Sequence, residues 1–433
     1  MRHTLYRNVR YVFLPLLFVL LSGCSLFGTD ASASPPHPIS RHISPHVTGT
    51  VDTLVDQVLT NMHQHAWNPQ AKIKNKVTGG LFINWQMDNP SITNATKQGR
   101  GAATASLHDP QVDLLYLTDL VEYQQLHPGS TTYSDDLSHA TSMVLTDFTH
   151  YSLPRGWIYF YVLNDGLSLN NQQMVNEAQQ IAHNIYKDWY DPTLGYVYQR
   201  THKPGDYDTN NTVQSGTALI DAGQRWNQPN WVSAGEKTID HVLSVALNAK
   251  YNMLYDSMYV GTNGQDTPKG DQAKPSTQAE VATALMNAYQ LTNNQHYLNV
   301  AGQLLQSLFG TSGLWDSGHG GFYFALTMTS GKVVKNYKET RSQSLALIAL
   351  HQYDQLSGGT MTQQEQEVSN VLTSSFYQST YHGFFYRLTS DFRIYTTKAN
   401  EGIGVENFFT TEAMGSVLDA LQQSEMALSA MKK

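Results

Sequence analysis

Gln278-Ala279-Glu280-Val281-Ala282-Thr283-Ala284-Leu285-Met286-Asn287-Ala288-Tyr289 opens a stretch that runs through Tyr297-Leu298-Asn299-Val300-Ala301-Gly302 to Phe309, and Gly318-His319-Gly320-Gly321-Phe322-Tyr323-Phe324 follows. The first half carries small and apolar residues around most of a helical circumference, as a helix buried on nearly every side requires. The second half has one apolar stripe and one polar face. Thr292 to Gln295 form the joint between them. The stretch therefore reads as a hairpin of one inner and one outer helix, followed by a glycine-aromatic strand.

The same unit recurs along the chain. Inner helices are expected to begin near Asp109, Thr212, Ser276, Thr340 and Glu406, and outer helices to occupy 51–65, 135–150, 171–189, 231–247, 297–309 and 363–376. Gly80-Leu81-Phe82, Gly156-Trp157-Ile158-Tyr159, Gly195-Tyr196, Gly321-Phe322-Tyr323 and Gly383-Phe384-Phe385 read as short strands in the connecting hairpins. About six such units, with no polar capping repeat at either end, predict an all-α (α/α)6 toroid rather than an open array. A closed ring also lets one domain exceed the ~250–300 residues at which a compact core stops growing. All the long loops would then share the face that carries the inner-helix N-termini, and line a cleft there.

The N-terminus reads as an address. Arg2, Arg7 and Arg10 precede an apolar run over 11–21, too short for a ~20-residue membrane span and suited to a secretory signal. Leu21-Ser22-Gly23-Cys24 resembles a bacterial lipobox, so Cys24, the single cysteine, is the expected lipidation site. The chain divides into a signal at 1–24, a Ser-, Pro- and His-rich tether at 25–48 and the toroid at 49–433. The expectation is a monomer held outside the cytoplasmic membrane by its lipid alone.

Formal charge is −8, and loss of the three signal arginines makes it −11, which leaves no electrostatic footprint for nucleic acid. The 25 tyrosines, 7 tryptophans and 15 phenylalanines point to a different partner. Aromatic faces with polar edges suit sugar rings, so Trp157, Tyr159, Tyr198 and Phe322 on the cleft-side loops are candidate platforms for an oligo- or polysaccharide. Packing within the loops is their alternative role.

Several motifs resemble glycoside hydrolase family 76, the bacterial and fungal endo-α-1,6-mannanases. They are Asp188-Trp189-Tyr190-Asp191 with Gly195-Tyr196-Val197-Tyr198, Asn210-Asn211 before Thr212-Val213-Gln214-Ser215-Gly216, and Leu254-Tyr255-Asp256 with Ser276-Thr277-Gln278. The likeness spans most of 50–425. It implies a six-hairpin glycosidase, with Asn211 and Gln278 near substrate. The family carries two adjacent aspartates near the start of the second inner helix, and the matching pair here is Asn164-Asp165. An amide thus stands where one carboxylate belongs. Asn164 can bond a sugar hydroxyl but cannot deliver a proton.

Glycosidic cleavage takes two carboxyl groups, one protonated and one ionised, ~5–5.5 Å apart for retention or ~6.5–9.5 Å for inversion. Asp165 is the first candidate, with a turn or cap role as its alternative. Its partner is sought among Asp109 and Asp113, while Glu339, Arg341 and Glu406 complete a substrate-binding rim; Glu280 is a further rim carboxylate. Helix capping is the competing explanation for each acid. Asp135-Asp136 reads as helix-start capping, and Asp206-x-Asp208-x-Asn210 lacks the glycine and glutamate of a calcium loop. No metal and no cofactor are expected. An isomerase using His108, His319 or His351, or a glycan-binding protein without catalysis, is the alternative to a hydrolase.

Overall fold

The computed structural model describes residues 51–73, 76–91, 93, 110–200, 205–310, 312–394 and 408–431. Twelve α-helices appear among them: α1 (Val51–Asn61), α2 (Pro110–Leu126), α3 (Ser134–Phe148), α4 (Gly156–Ser168), α5 (Gln172–Asn184), α6 (Thr209–Arg225), α7 (Pro229–Ala246), α8 (Pro275–Thr292), α9 (Gln295–Phe309), α10 (Thr340–Ser357), α11 (Thr362–Val371) and α12 (Thr411–Met431). The even-numbered helices form the inner ring. Each packs on the next, and α12 returns to α2. The odd-numbered helices lie outside, with α3, α5, α7, α9 and α11 on the inner helix that precedes each and α1 on α12.

Burial follows the pattern. Every residue of α6 from Thr212 to Gly223 is buried, whereas α7 buries only the stripe Trp231, Ala234, Gly235, Thr238, Ile239, Val242, Leu243 and Ala246. Glycine sets how closely these two helices approach: a Cβ on Gly235 would lie 2.3 Å from the Gly216 carbonyl oxygen. Local chemistry sets the ends. The Asn171 side chain accepts from the backbone of Gln173 and Met174 to cap α5, Asn294 caps α9 through His296, and Gly358 ends α10 at φ +75°.

The loops repeat as regularly as the helices. After five outer helices an Asx-type turn opens a hairpin: Asn68 accepts from Gln70, Asp191 from Thr193, Asn248 from Lys250, Asp316 from Gly318, and Gln378 from Thr380. The strand that returns is then gripped by the following inner helix at its fourth residue. Gln278 receives the Leu254 N–H at 2.8 Å and donates to its carbonyl at 2.9 Å; Gln343 does the same to Phe322, and Met414 accepts from Phe384.

One expected strand is a helix. Gly156-Trp157-Ile158-Tyr159 forms the first turn of α4, the second inner helix, which spans 13 residues. Its glycine serves close packing, since a Cβ there would fall 2.1 Å from the Gln214 carbonyl oxygen. Two devices close the ring. Strand Phe408–Thr410 pairs antiparallel with Asn84–Gln86, and α12 packs along α2.

Candidate functional site

The inner-helix N-termini converge on the hairpin face, and their first turns carry a connected polar network. Asn210 on α6 donates to Glu280 Oε2 on α8 at 2.7 Å, and Arg341 on α10 donates to Glu280 Oε1 at 3.0 Å. The other side of the same guanidinium stands 3.8 Å from Glu412 Oε1 on α12. One planar fork thus spans two carboxylates, which sets their separation at no more than about 9 Å. Both carboxylates are mostly buried while the Arg341 side chain remains 38% exposed, which makes it the accessible floor of this network. Glu280 chiefly raises the Arg341 pKa, so the cation is permanent.

A second ion pair borders this floor. Arg387 donates to Glu339 Oε1 at 3.0 Å and lies over the rings of Tyr337 and Tyr386, 4.4 and 4.8 Å from their centroids. Burial alone would lower the Arg387 pKa; Glu339 more than offsets this. Beside it, fully buried Lys338 donates to Asp316 at 2.8 Å and to the Gly320 carbonyl, and sits 4.1 Å over Phe392. Burial pushes Asp316 up, but donation from Lys338 and Tyr323 holds its pKa down at about 2.

The expected site residues fall into five groups. Glu339, Arg341 and Asn211 are at the mouth, Asn211 donating to Asp208 at 3.4 Å. Trp157, in the first turn of α4, meets Tyr161 edge-on at 5.9 Å, and Tyr198 lies at the rim beneath Arg200. Asp113, Tyr159, Gln278 and Phe322 are in the core. Gln278 is the strand clamp described above, Phe322 packs on Trp315 and Phe309, Tyr159 donates to Asp221, and fully buried Asp113 occupies the same register of α2 as the clamps. Substrate contact for these four gives way to packing, because each side chain is buried. Asp109, Glu406, His108 and Cys24 lie outside the described residues.

Asn164 and Asp165 are near the C-terminus of α4, away from the mouth. Asn164 is exposed, while Asp165 is 3% exposed and accepts from Thr118 at 2.9 Å. Burial first, then the Asp419 charge, raises the Asp165 pKa, and the Thr118 hydroxyl only partly counters this. The two side chains therefore do not form a paired site. Leu163-Asn164-Asp165 is instead one copy of a pattern shared with Leu117-Thr118-Asp119, Leu219-Ile220-Asp221, Leu285-Met286-Asn287 and Val417-Leu418-Asp419 at similar depth on other inner helices.

Glu412 and Asn210 carry no separate expectation in the sequence reading. Thr411-Glu412 after a strand parallels Thr340-Arg341 after Lys338–Glu339, and this register was the available signal. His351 faces outward to Glu365 at 2.8 Å, and His319 is a mostly exposed neighbour of Asp316, so these two do not meet across the cleft. Asp136 serves as more than a helix-start acid: it accepts from His63 and Tyr116 and ties α3 to the ring. Among the described residues no group of three or more His, Cys, Asp or Glu is placed to hold a metal ion.

No family model and no curated protein matches the sequence. Solved structures do match. An unsaturated glucuronyl hydrolase specific for heparin superposes with a TM-score of 0.65 at 12% identity, over 88% of this chain and 98% of its own. An inactive variant of an α-1,6-mannanase from Salegentibacter sp. HEL1_6, in complex with α-1,6-mannotriose, gives 0.63 at 8% identity, over 87% and 99%. A D-mannose isomerase gives 0.62 at 12%, over 87% and 97%. The chain has their (α/α)6 fold.

Proposed function

We propose that this chain is an exported, lipid-anchored glycoside hydrolase acting on an α-mannan or a related polysaccharide, with Glu280 and Glu412 as its carboxyl pair. The observation that carries the reading is the pair itself: two carboxylates on α8 and α12, the inner helices on either side of α10, flank one guanidinium at the mouth of the toroid. Their bounded separation falls within reach of the ~5–9.5 Å that glycosidic cleavage uses. One would protonate the departing oxygen while the other attacks the anomeric carbon or activates water. Arg341 would bind sugar hydroxyls and hold both carboxylates in place, and Asn210 would orient Glu280.

Trp157 and Tyr198, both partly exposed, offer apolar faces for pyranose rings. The neighbour captured with α-1,6-mannotriose supports a mannose-containing polymer. The Arg-flanked apolar run ending at Cys24 supports export and lipid attachment. Asp165 is assigned here to the scaffold, since its carboxyl is buried away from the mouth. A glycan-binding protein without catalysis is the second reading, favoured by the ion pairing that already engages both carboxylates.

Reducing-sugar release from a panel of α-mannans and other polysaccharides is the test. Release by the wild-type chain that Glu280→Gln and Glu412→Gln each reduce by about 10²–10⁴-fold supports the hydrolase. Binding without release supports the second reading.

A further inference from the structure

The ring closes through a seam of acids. Glu122 and Asp119 on α2 meet Asp419 on α12, and Asp165 approaches from α4. Tyr161 crosses from α4 to donate to Asp419 at 2.6 Å, Gln423 donates to its other oxygen at 2.5 Å, and Gln422 donates to the Asp119 carbonyl at 3.2 Å. All four acids are buried, Asp119 completely. Both oxygens of the Asp119 carboxyl lack a hydrogen-bond partner among the described residues, and one of them lies 3.2 Å from the position a Cβ on Gly415 of α12 would take.

Among the described residues, the helices around the seam bring no cation to it. On α3, Asp136 is engaged by His63 and Tyr116. On α6, Arg225 pairs with Asp221, which also receives Tyr159. On α10, His351 turns outward to Glu365 and Asp354 caps the next helix. On α1, Asp52 pairs with His127, just past the end of α2, and Asp56 faces Tyr123. From α5, His183 turns to Trp231, the rings tilted at 51° with centroids 6.0 Å apart. The groups that act on the four acids are each other, Thr118, Tyr161 and Gln423. Four adjacent carboxylates without a counter-ion cannot all be charged in a dry contact between helices.

We propose that this seam is a proton-locked closure: protonated acids join α12 to α2 and α4, and deprotonation as the medium turns from acidic to alkaline weakens the ring. Glu122 donates a shared proton to Asp419, which also receives Tyr161 and Gln423 and is the seam's acceptor. Burial raises all four pKa values, with Asp419 charge raising three of them further. Raised folded-state values give stability that is complete below the unfolded carboxylate range of ~4 and is lost as pH rises through the folded values.

The test is thermal unfolding of the full chain in detergent from about pH 4 to about pH 9, beside Asp119→Asn and Glu122→Gln. The wild-type melting temperature should fall as pH rises, and each variant should show a shallower fall. Infrared spectroscopy of the wild type at neutral pH should show the carbonyl stretch of protonated carboxyl groups, weakened in any variant that folds. A melting temperature that is flat or rises with pH, a fall that both variants leave unchanged, or a wild type without that band would overturn the proposal.

Discussion

The mouth and the closing seam both concentrate acids, yet they solve the electrostatic problem in opposite ways. At the mouth each acid has a cation: Glu280 and Glu412 share Arg341, Glu339 has Arg387, and Asp316 has Lys338. At the seam Asp119, Glu122, Asp165 and Asp419 have only hydroxyls, amides and one another. An acid beside a cation at an accessible mouth is available to bind or react; one buried without a cation keeps its proton and joins surfaces. The difference separates a place for chemistry from a place for closure.

The largest expected effect tests that separation through activity. Glu280→Gln should cost about 10²–10⁴-fold in turnover, whereas Asp165→Asn should leave turnover within about tenfold of wild type. Steady-state rates on any accepted polysaccharide decide this, and the reverse ranking would move the chemistry to the seam. Next comes Lys338→Met, which strands the buried Asp316 charge and should cost about 3–5 kcal/mol in denaturant unfolding. Little change there would mean that mouth acids do not depend on their cations.

The two regions should also respond to pH with opposite sign. Asp316 has its pKa lowered from 3.8 to about 2, so its stabilisation is complete above the unfolded value and is lost as pH falls toward the folded one. That is worth about 2 kcal/mol. The acid limb of a stability–pH curve should therefore shift when Asp316→Asn is compared with wild type. The smallest effect is structural: Asn171→Ala removes the α5 cap and should cost about 1 kcal/mol while leaving both pH limbs in place. A change in either limb from that surface variant would show that the limbs are not local to mouth and seam.

Helical periodicity made the ring legible in the sequence. Small and apolar residues around the whole of α6 and α8, against single stripes on α7 and α9, assign inner and outer positions before any coordinates exist. Gly156 shows where this reading fails. It looks like the glycines that begin hairpin strands, but it is present because α4 presses against the α6 backbone, and a contact across the ring leaves no local signal. Glu339 and Arg341 were legible because acids and cations beside an inner-helix start must face the cleft. Glu412 was obscured because the last inner helix begins at Thr411, beyond the position near Glu406 that the pattern suggested.

By itself, the sequence determined the hairpin repeat, the all-α class and the face on which a site must lie, since all of these follow from periodicities of a few residues. Only the tertiary structure decided which acids have partners. Arg341 reaches Glu280 across 61 positions, and Tyr161 reaches Asp419 across 258. A carboxylate's charge state depends on what surrounds it in space, and ring closure brings those surroundings from opposite ends of the chain.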